Sequence, residues 1–303
     1  MVGKLGVQEF MVITAGGLPI FHYSRTNVRK MDSLLSGFLS AITSFATEFG
    51  ERSIRSLTFE GSELLYEQFN PDFLFIFLVD NHAPKRVLRA VLRELSRKFM
   101  ATYETELRME IPILDVFEDF RNEVQGVFQY YEGVLIIISN LSAYVIPTVR
   151  KEVLDVAIRT GGFLDELHRD FGSLGARVLT AIDGISSIHS ITNKLNIEED
   201  ATSEVIEYLA IRGVLRIAKM CPVIEGEDAR FNAFLDLVGL PSKEYQLLER
   251  AKHLCNGERS VVDVSERLGV TANRLYEVLA KLGTEVNWNY VEVSGLADEP
   301  TAC

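Results

Sequence analysis

The sequence predicts an α+β fold: a five-stranded mixed sheet with flanking helices, followed by two copies of a helical repeat. Three observations predict it. Short β-like runs separated by turn signals fill much of residues 7–79, two long amphipathic helical stripes lie among and after them, and the C-terminal part of the chain aligns with itself at a fixed offset.

The strands come first. VQEFMVITA (7–15) reads as a strand, Gly16-Gly17 as a turn and LPIFHY (18–23) as its hairpin partner. SIRSLTF (53–59), ELLYEQ (63–68) and FLFIFLV (73–79) read as three more, with turns at Gly61-Ser62 and at Asn70-Pro71-Asp72; the last is apolar throughout, as a central strand is. Between the second and third strands, residues 31–49 place Met31, Leu34, Leu35, Phe38, Leu39, Ile42, Phe45, Ala46 and Phe49 on one helical stripe. Pro84 then opens a helix to Tyr103 with Val87, Leu88, Val91, Leu92, Leu95, Phe99 and Tyr103 inward.

This order, β-β-α-β-β-β-α, with the GGLPIF hairpin, the LLSGFLSAI helix, the FLFIFLVD strand and the ELSRKFMATY helix end, resembles the longin and roadblock superfamily, most closely its archaeal longin-type members. The resemblance covers about residues 7–110. It implies a third helix, which residues 113–131 supply with Val116, Phe117, Phe120, Val124, Val127, Phe128 and Tyr131 on one side, and so a longin-like domain over 1–131. Residues 132–170 read as a helical connector, with a helix from Pro147 to Ile158 ended by Gly161-Gly162.

The repeat has an offset of 73 residues. Asp183-Gly184 aligns with Asn256-Gly257, Ser187-Ile188 with Ser260-Val261, Ile191 with Val264, Leu195 with Leu268, Ile197 with Val270, Glu204-Val205-Ile206 with Glu277-Val278-Leu279, and Leu209 with Leu282. In each copy a helix ends near the Asp-Gly or Asn-Gly, a short helix follows, then a longer helix and a strand. This resembles winged helix-turn-helix modules, one over 171–223 and one over 244–295, with VLRIAKM and WNYVEV as wing strands, a linker at 224–243 and a flexible tail at 296–303.

Composition excludes several classes. Residues 1–110 carry 13 basic and 13 acidic side chains and the remainder 18 and 30, so the net charge of −12 sits wholly in the later part and disfavours broad affinity for a polyanion. Cys221, Cys255 and Cys303 lie far apart, which suits a reducing, cytoplasmic setting and neither a disulfide framework nor a thiolate metal site. The longest uncharged run, 133–149, contains Ser139, Asn140, Ser142, Tyr144 and Pro147; it reads as buried and is short for a membrane span. Phosphate-loop, dinucleotide, nucleophile-elbow and zinc-protease motifs are missing, and the five histidines are isolated from one another. No catalytic residue, metal ligand or cofactor is expected, and the chain reads as non-enzymatic.

Three surfaces remain as candidates. Opposite its apolar stripe, the 31–49 helix carries Ser33, Ser36, Gly37, Ser40, Thr43, Ser44 and Thr47, with no charge between Asp32 and Glu48. This face either packs within the chain or meets another protein. The longin and roadblock resemblance implies a dimer or small-GTPase contact there, through Ser33, Ser36, Gly37, Ser40 and Ser44. On the helix after Pro84, Lys85, Arg86, Arg89, Arg93, Arg97 and Lys98 form a basic stripe, either an ordinary solvated face or an attraction to an acidic partner or a peripheral membrane surface worth about 1 kcal/mol per basic residue. In the second repeat, Arg267, Arg274 and Lys281 are the candidates for nucleic-acid contact, set against Glu266 and Glu277. Two functions follow as expectations: an adaptor that binds a small GTPase or its own kind, with the modules used for assembly; or a transcription regulator whose longin-like domain senses or dimerises and whose winged helices hold DNA.

Overall fold

The computed structural model describes residues 5–25, 37–39, 41, 56–70, 72–108, 114–159, 162–224, 235 and 238–294. They form two compact units, one within Met1–Ile136 and one comprising Ile137–Ser294.

In the first unit β1 (Val7–Thr14) and β2 (Pro19–Ser24) form the hairpin, and β3 (Ser56–Thr58), β4 (Ser62–Asn70) and β5 (Phe73–Asp80) a meander. The order across the sheet is β2-β1-β5-β4-β3 and every pairing is antiparallel, so the expected mixed sheet is corrected. The connection from β2 to β3 joins the two edges of the sheet. Those strands run in the same direction but never meet, and no parallel ladder results.

Alternation along the strands gives the sheet two apolar faces. Phe10, Phe21, Phe75 and Phe77 line one, which is covered by α1 (Lys85–Thr102), a 3-10 turn at Leu114–Asp119 and α2 (Phe120–Ser139). Phe99 of α1 is the hub of this layer: its ring centroid lies 5.0 Å from Phe120, 5.4 Å from Phe117, 5.9 Å from Phe75 and 6.0 Å from Phe21. The inward set expected for α1 is buried as expected, and Pro84 is its N-cap. The third helix begins later and runs further than 113–131, because apolar residues continue after Gly133: Val134 is buried, and Ile137 joins the core of the second unit. The other sheet face carries Met11, Ile13, Leu64, Tyr66, Leu74, Ile76 and Leu78, with Leu39 packed on it.

The second unit is built on a three-stranded antiparallel sheet, β6 (Val145–Val149), β7 (Leu215–Ile224) and β8 (Val286–Glu292), in that order. Residues 145–149 correct the expectation of a helix from Pro147. Proline removes a backbone donor, but at the edge of a sheet that donor faces no ladder, and Pro147 sits opposite Ile217 on such an edge. The helix starts only at α3 (Lys151–Arg159), and α4 (Phe163–Phe171) sends Phe163 and Leu167 into a core, so residues 132–170 are more than a helical connector.

The offset of 73 holds in three dimensions. The first copy comprises α5 (Ser173–Ala181), α6 (Ile188–Leu195), α7 (Glu199–Ile211) and β7; the second comprises α8 (Ser242–Lys252), α9 (Val261–Leu268), α10 (Ala272–Ala280) and β8. Ser187 and Ser260 are the matching N-caps, each accepting from the amide three residues on. Asn196 (φ 51°) and Gly269 (φ 67°) end the short helices in the same left-handed turn. Gly257 is needed twice over: its φ is 81°, and a Cβ there would lie 2.8 Å from Val223 Cγ2.

Both faces of this sheet are apolar. Val145, Leu215 and Ile217 join Val178, Ile188, Val205, Ile206 and Leu209 of the first copy, whereas Tyr144, Ile146, Met220 and Val286 join Leu248, Val261, Val264, Leu275, Val278 and Leu279 of the second. The strands expected as wings therefore pair with each other, and the two copies share one sheet. Cys221 and Cys255 are free and buried, and burial pushes the Cys255 thiol up to about 12.

The caps provide a test of the repeat. Ser260→Ala breaks a capping box with Asp263 and is expected to cost about 1–2 kcal/mol, and Ser187→Ala, which has no carboxylate at the matching position, about 1 kcal/mol or less. Urea denaturation of both variants checks the order; a larger loss for Ser187→Ala would contradict it.

Candidate functional site

The described helical residues 37–39 and 41 meet the first unit's sheet through Leu39. Leu39 is buried against Met11, Ile13, Leu64, Leu74, Ile76 and Leu78, while Gly37 and Ala41 are exposed and Phe38 is 50% exposed. Among the described residues nothing lies within 4 Å of where a Cβ on Gly37 would be. The described residues thus place an exposed backbone position beside a half-exposed phenyl ring, with no charge among them. Ser33, Ser36, Ser40 and Ser44, expected to share this face, lie outside the described residues.

The basic stripe on α1 is largely engaged. Residues 63, 65 and 67 of β4 share the sheet face that α1 covers, because they stand opposite Val79, Phe77 and Phe75. Two of those three are glutamates. Glu63 is buried and accepts an ion pair from Lys85 at 2.7 Å, and Glu67 accepts from Arg93 Nε at 3.2 Å. On the other flank Lys98 reaches Glu123 of α2 at 3.0 Å, and the Tyr131 hydroxyl donates to Glu94 at 2.9 Å. Arg86 also has an interaction partner; Arg97 is exposed and Arg89 half-buried. The stripe therefore serves first to fasten α1 to the sheet and to α2.

The cations of the second repeat are held in a similar way. Glu244, in the first turn of α8, is buried; Lys281 donates to both its carboxylate oxygens at 2.8 Å, and Arg274 Nη2 to Oε1 at 2.8 Å. Arg274 also lies 3.8 Å from Glu277. The hydrogen bond from Lys281, reinforced by Arg274, holds the Glu244 carboxyl below the usual glutamate range. Arg267 is exposed on α9. Two of the three nucleic-acid candidates are thus committed to clamping α10 against α8.

A separate ion pair ties the first repeat to the helix before it, Glu166 of α4 with Arg212 at the end of α7. Asp183 takes a different role: it accepts from the amides of Ser186 and Ile185 and from the Ser186 hydroxyl, which holds its carboxyl down at about 2 and fixes the turn into α6. His22, read from sequence as a sheet residue, places Nε2 3.0 Å from the buried Glu9. Among the described residues no group of three or more His, Cys, Asp and Glu side chains could hold a metal ion, and no helix among them is long and apolar enough to cross a membrane.

Sequence reasoning missed Glu63 and Glu244 as anchors. For Glu63 a signal exists: alternation on β4 puts it and Glu67 on the face that meets the basic helix. Glu244 carries no such mark, because only the packing of α8 against α10 reveals that it is buried.

The chain matches no known protein family and no curated protein. Among solved structures it is similar to Myxococcus xanthus MglB (15% identity over 34% of this chain and 87% of that one, TM-score 0.29) and to the gliding protein MglB of Thermus thermophilus (16% identity, 29% and 70%, TM-score 0.25). It is also similar to the mammalian SRP receptor (14% identity, 43% and 97%, TM-score 0.30).

The Glu244 clamp carries a pH dependence of known sign. A carboxyl whose folded value is depressed adds stability that is present above its unfolded value, about 4.3, and is lost as the pH falls through the folded value. Glu244→Gln is expected to lower Tm at pH 7, and the gap to the native chain should close as the pH is taken below about 4.3. Thermal melts across that range check it; a gap of constant size contradicts the assignment.

Proposed function

We propose that this chain is a non-enzymatic adaptor that binds a protein partner, a small GTPase or a similar protein, through its N-terminal, longin-like domain, and that its two repeats act as winged-helix modules devoted to assembly. The observation that carries the reading is the surface at residues 37, 38 and 41: Gly37, Ala41 and a half-exposed Phe38 with no charge among them, beside Leu39, which anchors to the sheet. An uncharged surface of small residues around one phenyl ring suits close contact with another protein and offers little to a polyanion. The β-β-α-β-β-β-α order that underlies the longin and roadblock resemblance supports a GTPase as the partner, and a cytoplasmic setting goes with that reading.

The winged-helix reading of the repeats is supported by the order of elements, three helices and then a strand in each, with the short second helix capped by Ser187 or Ser260. Merging of the two terminal strands into one sheet favours an assembly role. A free wing and a free recognition helix are the parts that would meet DNA, and here β7 is covered on both faces while Arg274 and Lys281 of the second module are tied to Glu244. Peripheral membrane contact would draw on Arg89 and Arg97, since Lys85, Arg93 and Lys98 are paired.

The test uses Gly37, where no described residue fills the space a Cβ would take. Gly37→Arg adds a charged side chain that meets none of the described residues and is expected to leave stability within about 1 kcal/mol of the native chain's, since replacing a helical glycine costs nothing in propensity. Capture from native lysate on the full chain, with GDP or a non-hydrolysable GTP analogue present, should recover a small GTPase on the native protein and not on Gly37→Arg. Equal recovery on both would place the contact elsewhere, and no GTPase on either would remove the proposed partner.

A further inference from the structure

The two edges of the second unit's sheet are unlike. On one side of β7, β6 carries Pro147, and beyond it the chain at Cys255–Gly257 completes the cover through the Val223–Asn256 bridge and the bond from Ile224 N to Cys255 O at 3.0 Å. On the other side β8 pairs with β7 over seven residues in unbroken register, and among the described residues nothing pairs with its outer side. The amide of Val293 donates to Ile217 O at 2.9 Å. Backbone groups alternate in direction along a strand, so the odd-numbered residues turn theirs to β7, and Val286, Trp288, Tyr290 and Glu292 turn theirs outward.

Natural edge strands are blunted by lysine, proline or a bulge. VNWNYVE has none of these, and its one charge, Glu292, is already 3.7 Å from Arg216. Tyr290 is 52% exposed and Val291 39%.

We propose that β8 pairs antiparallel with β8 of a second copy of this chain about a twofold axis at Asn289, joining the two three-stranded sheets into one of six strands. A twofold axis normal to the sheet pairs residues on the same face, so it must pass through a residue. Centred on Asn289 it engages the whole strand: Trp288 opposite Tyr290 of the second copy, Asn287 opposite Val291, Val286 opposite Glu292, and Asn289 opposite itself. The outward groups of Val286, Trp288, Tyr290 and Glu292 then find one another as hydrogen-bonded pairs. Each Tyr290 ring gains an aromatic neighbour across the strands, and no like charges meet. A pivot at Trp288 or Tyr290 would leave two residues of the strand unpaired. The segment is thus complementary to itself, and that is why the second copy is its occupant. A one-strand contact is small beside the about 1,600 Å² of a standard stable interface, so the dimer is of micromolar strength.

Sedimentation velocity of the full chain between about 1 and about 200 µM, a range suited to so small an interface, should show a monomer–dimer equilibrium. In Tyr290→Pro the lost amide points outward and donates nothing to β7, so the fold and Tm persist while the dimer Kd rises at least about tenfold, the weight of the lost edge pairing. Register is read by crosslinking in a Cys221→Ala, Cys303→Ser background, since Cys221 on β7 stands opposite Asn289 and would otherwise compete for it. Asn289→Cys sits at a non-hydrogen-bonded self-pair with Cα atoms about 4.5 Å apart, within disulfide range, and mild oxidation should give a covalent dimer; Asn287→Cys, which faces Val291, should not. If Tyr290→Pro fails to fold, the crosslinking pair decides alone. A monomer throughout the range, a dimer untouched by Tyr290→Pro, or equal crosslinking at 287 and 289 would overturn the proposal.

Discussion

A carboxylate taken out of water must be paired, and this constraint organises both units of the chain. Three glutamates are buried among the described residues: Glu9, Glu63 and Glu244. Each is partnered, by His22, by Lys85, and by Arg274 with Lys281. The first joins the two strands of the N-terminal hairpin, the second fastens α1 to β4, and the third closes α10 onto α8. Breaking such a pair is costly because a buried carboxylate loses a hydrogen-bonding partner that water does not replace, so these contacts add to apolar packing in setting which elements lie side by side. They also bear on what the surface can do, because three of the cations that a reading of charge pattern offers to phosphate, Lys85, Arg274 and Lys281, are held by them.

Much of the architecture was legible in the sequence because period and punctuation agree there. The hairpin, the meander, the inward face of α1 and the 73-residue repeat all rest on apolar spacing fixed by Gly, Pro, Ser or Asn at turns and caps, and equivalent positions such as Val205 and Val278 are buried in both copies. Strand direction was not legible. Local sequence says that β2 connects to β3 through a long segment but not that the two strands occupy opposite edges. Pro147 misled for a related reason: the same residue suits the start of a helix or the edge of a sheet, and only the pairing of β6 with β7 separates the two. The candidate surfaces were legible as lists of residues but not as free or spent charges. For α1 the alternation of Glu63 and Glu67 on β4 already held the answer; for Glu244 burial comes from long-range packing that no local pattern encodes.

The shared sheet links fold to function. Because β7 is apolar on both faces, neither repeat can bury its helices without it, and the two copies form one body rather than two modules on a string. What remains exposed on that body is an edge, β8, and what remains exposed on the first unit's described helical segment is a small uncharged surface around Phe38. Both suit contact with protein: one through backbone pairing with a like strand, the other through close apposition.

The central claim is that buried carboxylates hold Lys85, Arg274 and Lys281, which supports the proposal that this chain's surfaces address proteins rather than polyanions. Fluorescence anisotropy of a labelled random DNA duplex titrated with the full chain, at low salt and then at physiological salt, tests it most directly. The account predicts no saturable binding below about 100 µM at physiological salt, weaker than ordinary non-specific DNA binders. Tight binding with a steep salt slope, lost on substitution of Arg274 or Lys281, would contradict it.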